Sequence, residues 1–176
     1  MDEGAALWAK LILIVFLTMV NAFFASAEMA MVSANKNKIK ELAEKGNKRA
    51  KTLLVILKNS TRFLSTIQVA ITLAGFFSSG SAATSISRVF GDYLREINIP
   101  YGTTISFIVV TLILSYISLV FGELVPKRIA LYNAENVALR GVYAVKITSI
   151  IFAPFVKLLS ISTVLVLKLL GKYSED

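Results

Sequence analysis

The sequence predicts an all-α membrane protein. It should have three transmembrane helices, a cytoplasmic helical hairpin between the first two, and a belt-like amphipathic juxtamembrane helix after the third. Three observations predict this. The 176 residues are 56% hydrophobic, with a mean hydropathy of +0.70, which soluble domains of this size rarely reach. The apolar residues gather in runs of about the 20 residues that one crossing needs. The basic residues, behind a net charge of +8, sit mostly beside those runs, where they face anionic headgroups. No nucleic-acid motif accompanies the charge, so the expected partner is the lipid bilayer and no nucleic acid.

The first span is the run from about 7 to 32. It is too long for the apolar core of a signal peptide, and Asp2 and Glu3 precede it instead of a basic cluster. A polar stretch, 35–62, comes next. It carries nine basic residues against Glu41 and Glu44. Helix formers dominate it and Gly46-Asn47 interrupts them, so it reads as two short helices. Its charge puts it in the cytoplasm and the N-terminus outside.

The second span covers about 63–86. The loop after it balances Arg88 and Arg95 against Asp92 and Glu96, as suits the outer side, and Pro100-Tyr101-Gly102 punctuates the chain. The third span covers about 103–125 and ends at Pro126-Lys127-Arg128, a basic end again expected inside. In the last segment, about 134–172, Lys146, Lys157 and Lys168 recur every 11 residues. That is close to three helical turns, so they share a face. A lysine costs about 2.5–3.5 kcal/mol at the centre of a span. A helix lying in the inner interface, bent at Pro154, is therefore expected in preference to the alternative of a fourth span. The C-terminus then lies in the cytoplasm of a multi-pass plasma-membrane protein.

The chain has no Cys and no His. Disulfides, thiolate and imidazole metal sites, and Cys or His nucleophiles are excluded. A bound metal would have to be held by oxygen, which suits Mg²⁺, Ca²⁺ or Na⁺. No acid–base pair or hydrolase motif is present, and the chain is not expected to be an enzyme.

The spans carry oxygen. Thr61, Ser65, Gln68, Thr72 and Ser79 share one face of the second span, with Gly75 beside them and Thr66 off the stripe. Thr104, Thr111, Ser115, Ser118 and Gly122 form a stripe on the third, and the first adds Asn21, Ser26 and Glu28. Such hydroxyls can bond back to their own helix, and small residues can serve packing alone. Asn21, Gln68 and Glu123 are more polar and need partners away from lipid. Pro126 lacks the N–H that would bond the Gly122 carbonyl, leaving that oxygen beside the Glu123 carboxylate. This allows two readings: an oxygen cage for a small cation, or a proline helix terminus with Glu123 paired to Lys127 or Arg128. At Gly75 the readings are a helix break or tight packing. Glu28 is expected to pair with the basic hairpin.

Three segments, taken together, resemble the transmembrane domain of the CorC and cyclin M (CNNM) magnesium transporters. They are Asn21-Ala-Phe-Phe-Ala-Ser26-Ala-Glu28-Met-Ala, Arg62-Phe-Leu-Ser65-Thr66-Ile-Gln68-Val-Ala-Ile-Thr72-Leu-Ala-Gly75, and Phe121-Gly122-Glu123-Leu-Val-Pro126-Lys127. The resemblance covers nearly the whole chain. It implies a dimer with three spans, a cytoplasmic helical pair and a juxtamembrane belt, exporting Mg²⁺ with Na⁺ as coupling ion by alternating access. It implies ATP binding only through paired CBS domains, which lie outside this sequence. By motif, it implies metal ligation by Ser26, Ser65, Thr66, Thr72, Gly122 and Glu123. Asn21, Gln68, Gly75, Ser115 and Ser118 would line the ion pathway, with Pro126 as helix breaker. One departure is Asn59-Ser60-Thr61, where bacterial members often have Asn-Pro; another is Thr66 and Ala70, where the animal branch carries Asn. The alternative function is a non-transporting dimeric anchor or Mg²⁺ sensor for a cytoplasmic regulatory domain.

Overall fold

The computed structural model describes residues 3–171, except for the side chains of residues 3–7, 60, 61, 79 and 81–85. Thr61 and Ser79 of the predicted stripe, Lys172 and the terminal Tyr173-Ser-Glu-Asp thus lie outside the described residues and side chains. All regular structure among the described residues is helical. In order, the helices are α1 (Glu3–Ser33), α2 (Lys36–Glu44), α3 (Lys48–Leu57), α4 (Ser60–Glu96) and α5 (Gly102–Leu119), then a π-helical turn (Val120–Leu124), α6 (Val125–Tyr132), α7 (Ala134–Ile151) and α8 (Ala153–Leu169).

Among the described residues, two helices are long and apolar enough to cross a bilayer: Trp8–Ser33, and Gly102–Tyr132, which runs from α5 through α6. The bent pair α7–α8 passes the same test if counted as one span. Large apolar side chains such as Trp8, Phe16, Ile113 and Tyr116 are exposed on these helices. That is the surface of a chain whose solvent is lipid. The chain is a multi-pass membrane protein.

Local chemistry sets the short elements. Asn35 Oδ1 accepts from the N–H groups of Asn37 and Lys38, capping α2. Asn47 Oδ1 accepts from Arg49 and Ala50, capping α3. Gly46, at φ +91°, makes the turn between them, where the sequence puts one. Small residues then let α1 and α7 approach closely. Ala27 and Ala30 are buried on α1, Ala34 just after it, and Ala134, Ala138 and Val142 on α7. A Cβ on Gly141 would stand 3.4 Å from Ala27 Cβ. Ile39, Leu53 and Ile67 complete this core at the hairpin end. At the other end α4 turns back into α5, and Ser106 Oγ donates to the buried Ser87 carbonyl at 2.6 Å.

Four expectations change. The second helix spans Ser60–Glu96, beyond 63–86, and its apolar stretch is the shorter Arg62–Ser78. The third does not end at Pro126: helix continues to Tyr132 because the π turn absorbs the missing N–H just before the proline. Segment 134–172 bends near Pro154 as expected, but sharply enough to be two helices, α7 and α8, which meet at 70°. The bend falls at Phe152, with Pro154 in the first turn of α8. Lys146 is thereby on a different helix from Lys157 and Lys168. Finally, Glu28 pairs with Lys127 and not with the hairpin.

Candidate functional site

Helices α1, α4 and α5 line an open cavity of about 340 Å³. Asn21 enters from α1, Thr72, Gly75 and Ser78 from α4, and Ser115 and Ser118 from α5. Glu123, on the π turn, supplies the carboxylate. Ile14, Phe76, Leu114 and Leu119 form the apolar part of the wall. Helical spacing aligns Ser115 with Ser118. The π turn then rephases the helix, because its bonds run from residue i to i−5: the Val125 N–H bonds the Val120 carbonyl. One extra residue in the turn rotates the next helical segment by about 100° relative to an α-helix. A stripe drawn at 3.6-residue spacing cannot be carried through it.

Asn21 is 6% exposed, and its Oδ1 is buried with no hydrogen-bond donor among the described residues. Thr111 Oγ1, one turn before Ser115, is likewise buried without a partner. An unsatisfied buried acceptor costs about 1–3 kcal/mol. A water or a cation in the cavity would relieve that cost at Asn21. Gly122 is buried behind it, where a Cβ would stand 3.4 Å from both Asn21 Cβ and Thr18 Cγ2. Glycine therefore sets how closely the π turn approaches α1.

Towards the hairpin end lies an ionic triad. Lys127 Nζ donates to Glu123 Oε1 at 2.8 Å and stands 3.1 Å from Glu28 Oε2. The carboxylate at the cavity wall is thus already engaged by an ammonium. Beside the triad, Ser26 Oγ donates to the Pro126 carbonyl at 3.3 Å, joining α1 to α6.

The predicted site residues separate into groups. Asn21, Thr72, Gly75, Ser115, Ser118 and Glu123 meet at the cavity. A Cβ on Gly75 would meet no described atom within 4 Å, so close helix packing is not what requires glycine there. Ser65 and Gln68 line a separate groove between α4 and α8, which Thr72 also borders. Thr66 is fully buried and donates to the Arg62 carbonyl at 2.8 Å. Ser26 is committed to Pro126. Two features were missed from sequence. Ser78, buried at the cavity wall, stands next to Ser79, which the stripe selected instead. The Glu123–Lys127 pair is one of the two readings the sequence offered; the second contact of Lys127, to Glu28, was missed. No group of three acidic residues that could hold a metal occurs among the described residues.

The family profile described as the cyclin M transmembrane N-terminal domain matches residues 12–176. The chain belongs to the cyclin M family. A UPF0053 protein of Synechocystis is 36% identical over 169 residues, covering 95% of this cyclin M chain and 38% of the relative. The polyamine export protein of Haemophilus influenzae is 30% identical, covering 85% and 35%. The UPF0053 inner membrane protein YfjD of Escherichia coli is 26% identical, covering 86% and 33%. This cyclin M chain thus spans between 33% and 38% of the length of these relatives.

Proposed function

We propose that the chain is the membrane part of a cation exporter, with Mg²⁺ as cargo and Na⁺ as the coupling ion. The observation that carries the reading is the unpartnered Asn21 Oδ1 in a hydroxyl-lined cavity that ends at Glu123. Mg²⁺ keeps several waters and binds through one or two carboxylates. One carboxylate, an amide oxygen and hydroxyls suit a hydrated ion that must also leave, and Na⁺ accepts the same oxygens. Ser26, Ser65, Thr66 and the Gly122 carbonyl join the ligand set only if the helices shift between inward- and outward-open states. In this reading α1, α4 and α5 cross the plasma membrane, the hairpin is cytoplasmic and the N-terminus is outside. The α7–α8 pair lies along the inner surface, two copies form the dimer, and ATP acts only through a domain beyond this sequence. No enzymatic step is assigned.

A second reading has a specific support. Lys127 presents an alkylammonium to Glu28 and Glu123, the contact an organic amine would make. A polyamine cargo, as in the name of the Haemophilus relative, would use the same carboxylates.

The purified protein in liposomes separates these readings. Mg²⁺ flux driven by a Na⁺ gradient, lost in Glu123→Gln, supports Mg²⁺ export. Spermidine flux without Mg²⁺ flux replaces it with polyamine export. Flux of neither leaves the anchor or sensor role.

A further inference from the structure

Four basic side chains gather where the hairpin, the start of α4 and the α7–α8 elbow meet. A cavity of about 470 Å³ is lined by Lys51, Arg62 and Lys146, with Asn59 and Ser149. A second, of about 490 Å³, shares Asn59 and Arg62 and adds Ser65, Lys157 and Ser160. No carboxylate lines either cavity. Lys51, Arg62, Lys146 and Lys157 form no ion pair among the described residues. Like charges brought together without an acid repel one another, so the arrangement calls for an anion. Guanidinium, ammonium, amide and hydroxyl donors around one space match a phosphate ester.

The surroundings identify the source of that phosphate. Ser65 also lines a groove of about 650 Å³ between α4 and α8, with walls from Leu64, Leu73, Phe76, Phe155 and Leu159 and a single carboxylate, Glu28. Arg62 opens the apolar stretch Arg62–Ser78, so the basic cavities lie where an apolar helix meets the polar hairpin. That is headgroup depth, with acyl-chain space directly beside it.

We propose that these two cavities, which meet at Asn59 and Arg62, hold an anionic glycerophospholipid. Its phosphate lies between Arg62 and Lys157, its headgroup extends towards Lys51 and Lys146, and one acyl chain runs along the α4–α8 groove. Thr72 and Phe76 line both this groove and the cavity between α1, α4 and α5, so the lipid chain shares a wall with the cavity proposed above for the cation.

The test is native mass spectrometry of the purified protein titrated with phosphatidylglycerol or phosphatidylcholine. The wild type should retain phosphatidylglycerol about tenfold better or more. The double variant Arg62→Gln/Lys157→Gln should lose that preference. Lys36→Gln/Lys40→Gln removes the same charge from exposed hairpin positions and should keep it. Leu159→Ala should weaken retention while the preference for the anionic headgroup persists. Equal loss in both double variants would reduce the effect to diffuse attraction and overturn the proposal. So would no preference in the wild type, or displacement of the lipid by inorganic phosphate or a soluble acidic peptide.

Discussion

Lys127 Nζ lies 2.8 Å from Glu123 Oε1 and 3.1 Å from Glu28 Oε2, so one ammonium bridges carboxylates on two helices. All three side chains are a fifth to a third exposed, which keeps the pairing weak enough to exchange. A cation at Glu123 has to compete with this tethered one. Lys127→Met would leave both carboxylates to the cargo. Mg²⁺ affinity should rise about tenfold, worth about 1.4 kcal/mol, while flux falls because the ion leaves slowly. Calorimetry with liposome flux checks both, and weaker binding in the variant would remove Lys127 from this role.

Glycines on the long helices should respond differently to alanine. A Cβ on Gly91 would lie 2.9 Å from Thr103 Cγ2 and 3.1 Å from Thr103 Cα, so Gly91→Ala overpacks the α4–α5 contact by about 1–3 kcal/mol. Gly122→Ala meets Asn21 and Thr18 at 3.4 Å, and the alanine gains up to about 1 kcal/mol of helix propensity. Gly91→Ala should lower the melting temperature. Gly122→Ala should leave it within a few degrees yet slow flux by crowding Asn21. Thermal melts and flux on the same preparations decide this, and a large melting shift in Gly122→Ala would contradict it.

The hairpin and α7 are linked through Glu135. Its carboxylate accepts from the Asn35 N–H at 3.4 Å and stands 3.5 Å from Lys38 Nζ. Its own backbone N–H and that of Asn35 hold the carboxyl below the usual glutamate value, and Lys38 adds to this. A folded-state value below the unfolded one means the contact contributes fully above the unfolded value of about 4.3. The contribution is lost as pH falls through the folded value. The wild type should therefore lose a small increment of thermal stability on acidification below about pH 4.3 that Glu135→Gln does not lose. Parallel melting curves for the two proteins would show that the contact contributes nothing.

Much of the architecture is legible because lipid and backbone impose simple rules. The long apolar runs mark the helices around Trp8–Ser33 and Gly102–Tyr132, and Gly46-Asn47 marks the hairpin turn. The site is legible only in part, because its geometry depends on departures from a regular helix. The π turn changes which side chains beyond Ser118 reach the cavity, so a stripe extended to Gly122 meets a glycine packed on α1. Thr66 and Ser26 have the chemistry of ligands, but their hydroxyls bond the Arg62 and Pro126 carbonyls. No periodicity distinguishes those outcomes. Pro154 marks the elbow to within two residues, at Phe152, but its 70° angle is not written in eleven-residue lysine spacing, which assumes one continuous helix.

In the proposed exporter a cation binds in the cavity between Asn21, Thr72, Ser118 and Glu123. Anomalous diffraction from crystals soaked in Mn²⁺ as a Mg²⁺ surrogate tests it most directly. The expected result is a peak inside that cavity within about 2.0–2.2 Å of its nearest protein oxygen or bridging water, absent in Glu123→Gln. A peak only at Glu28 or on the hairpin, or one unchanged in Glu123→Gln, would contradict it.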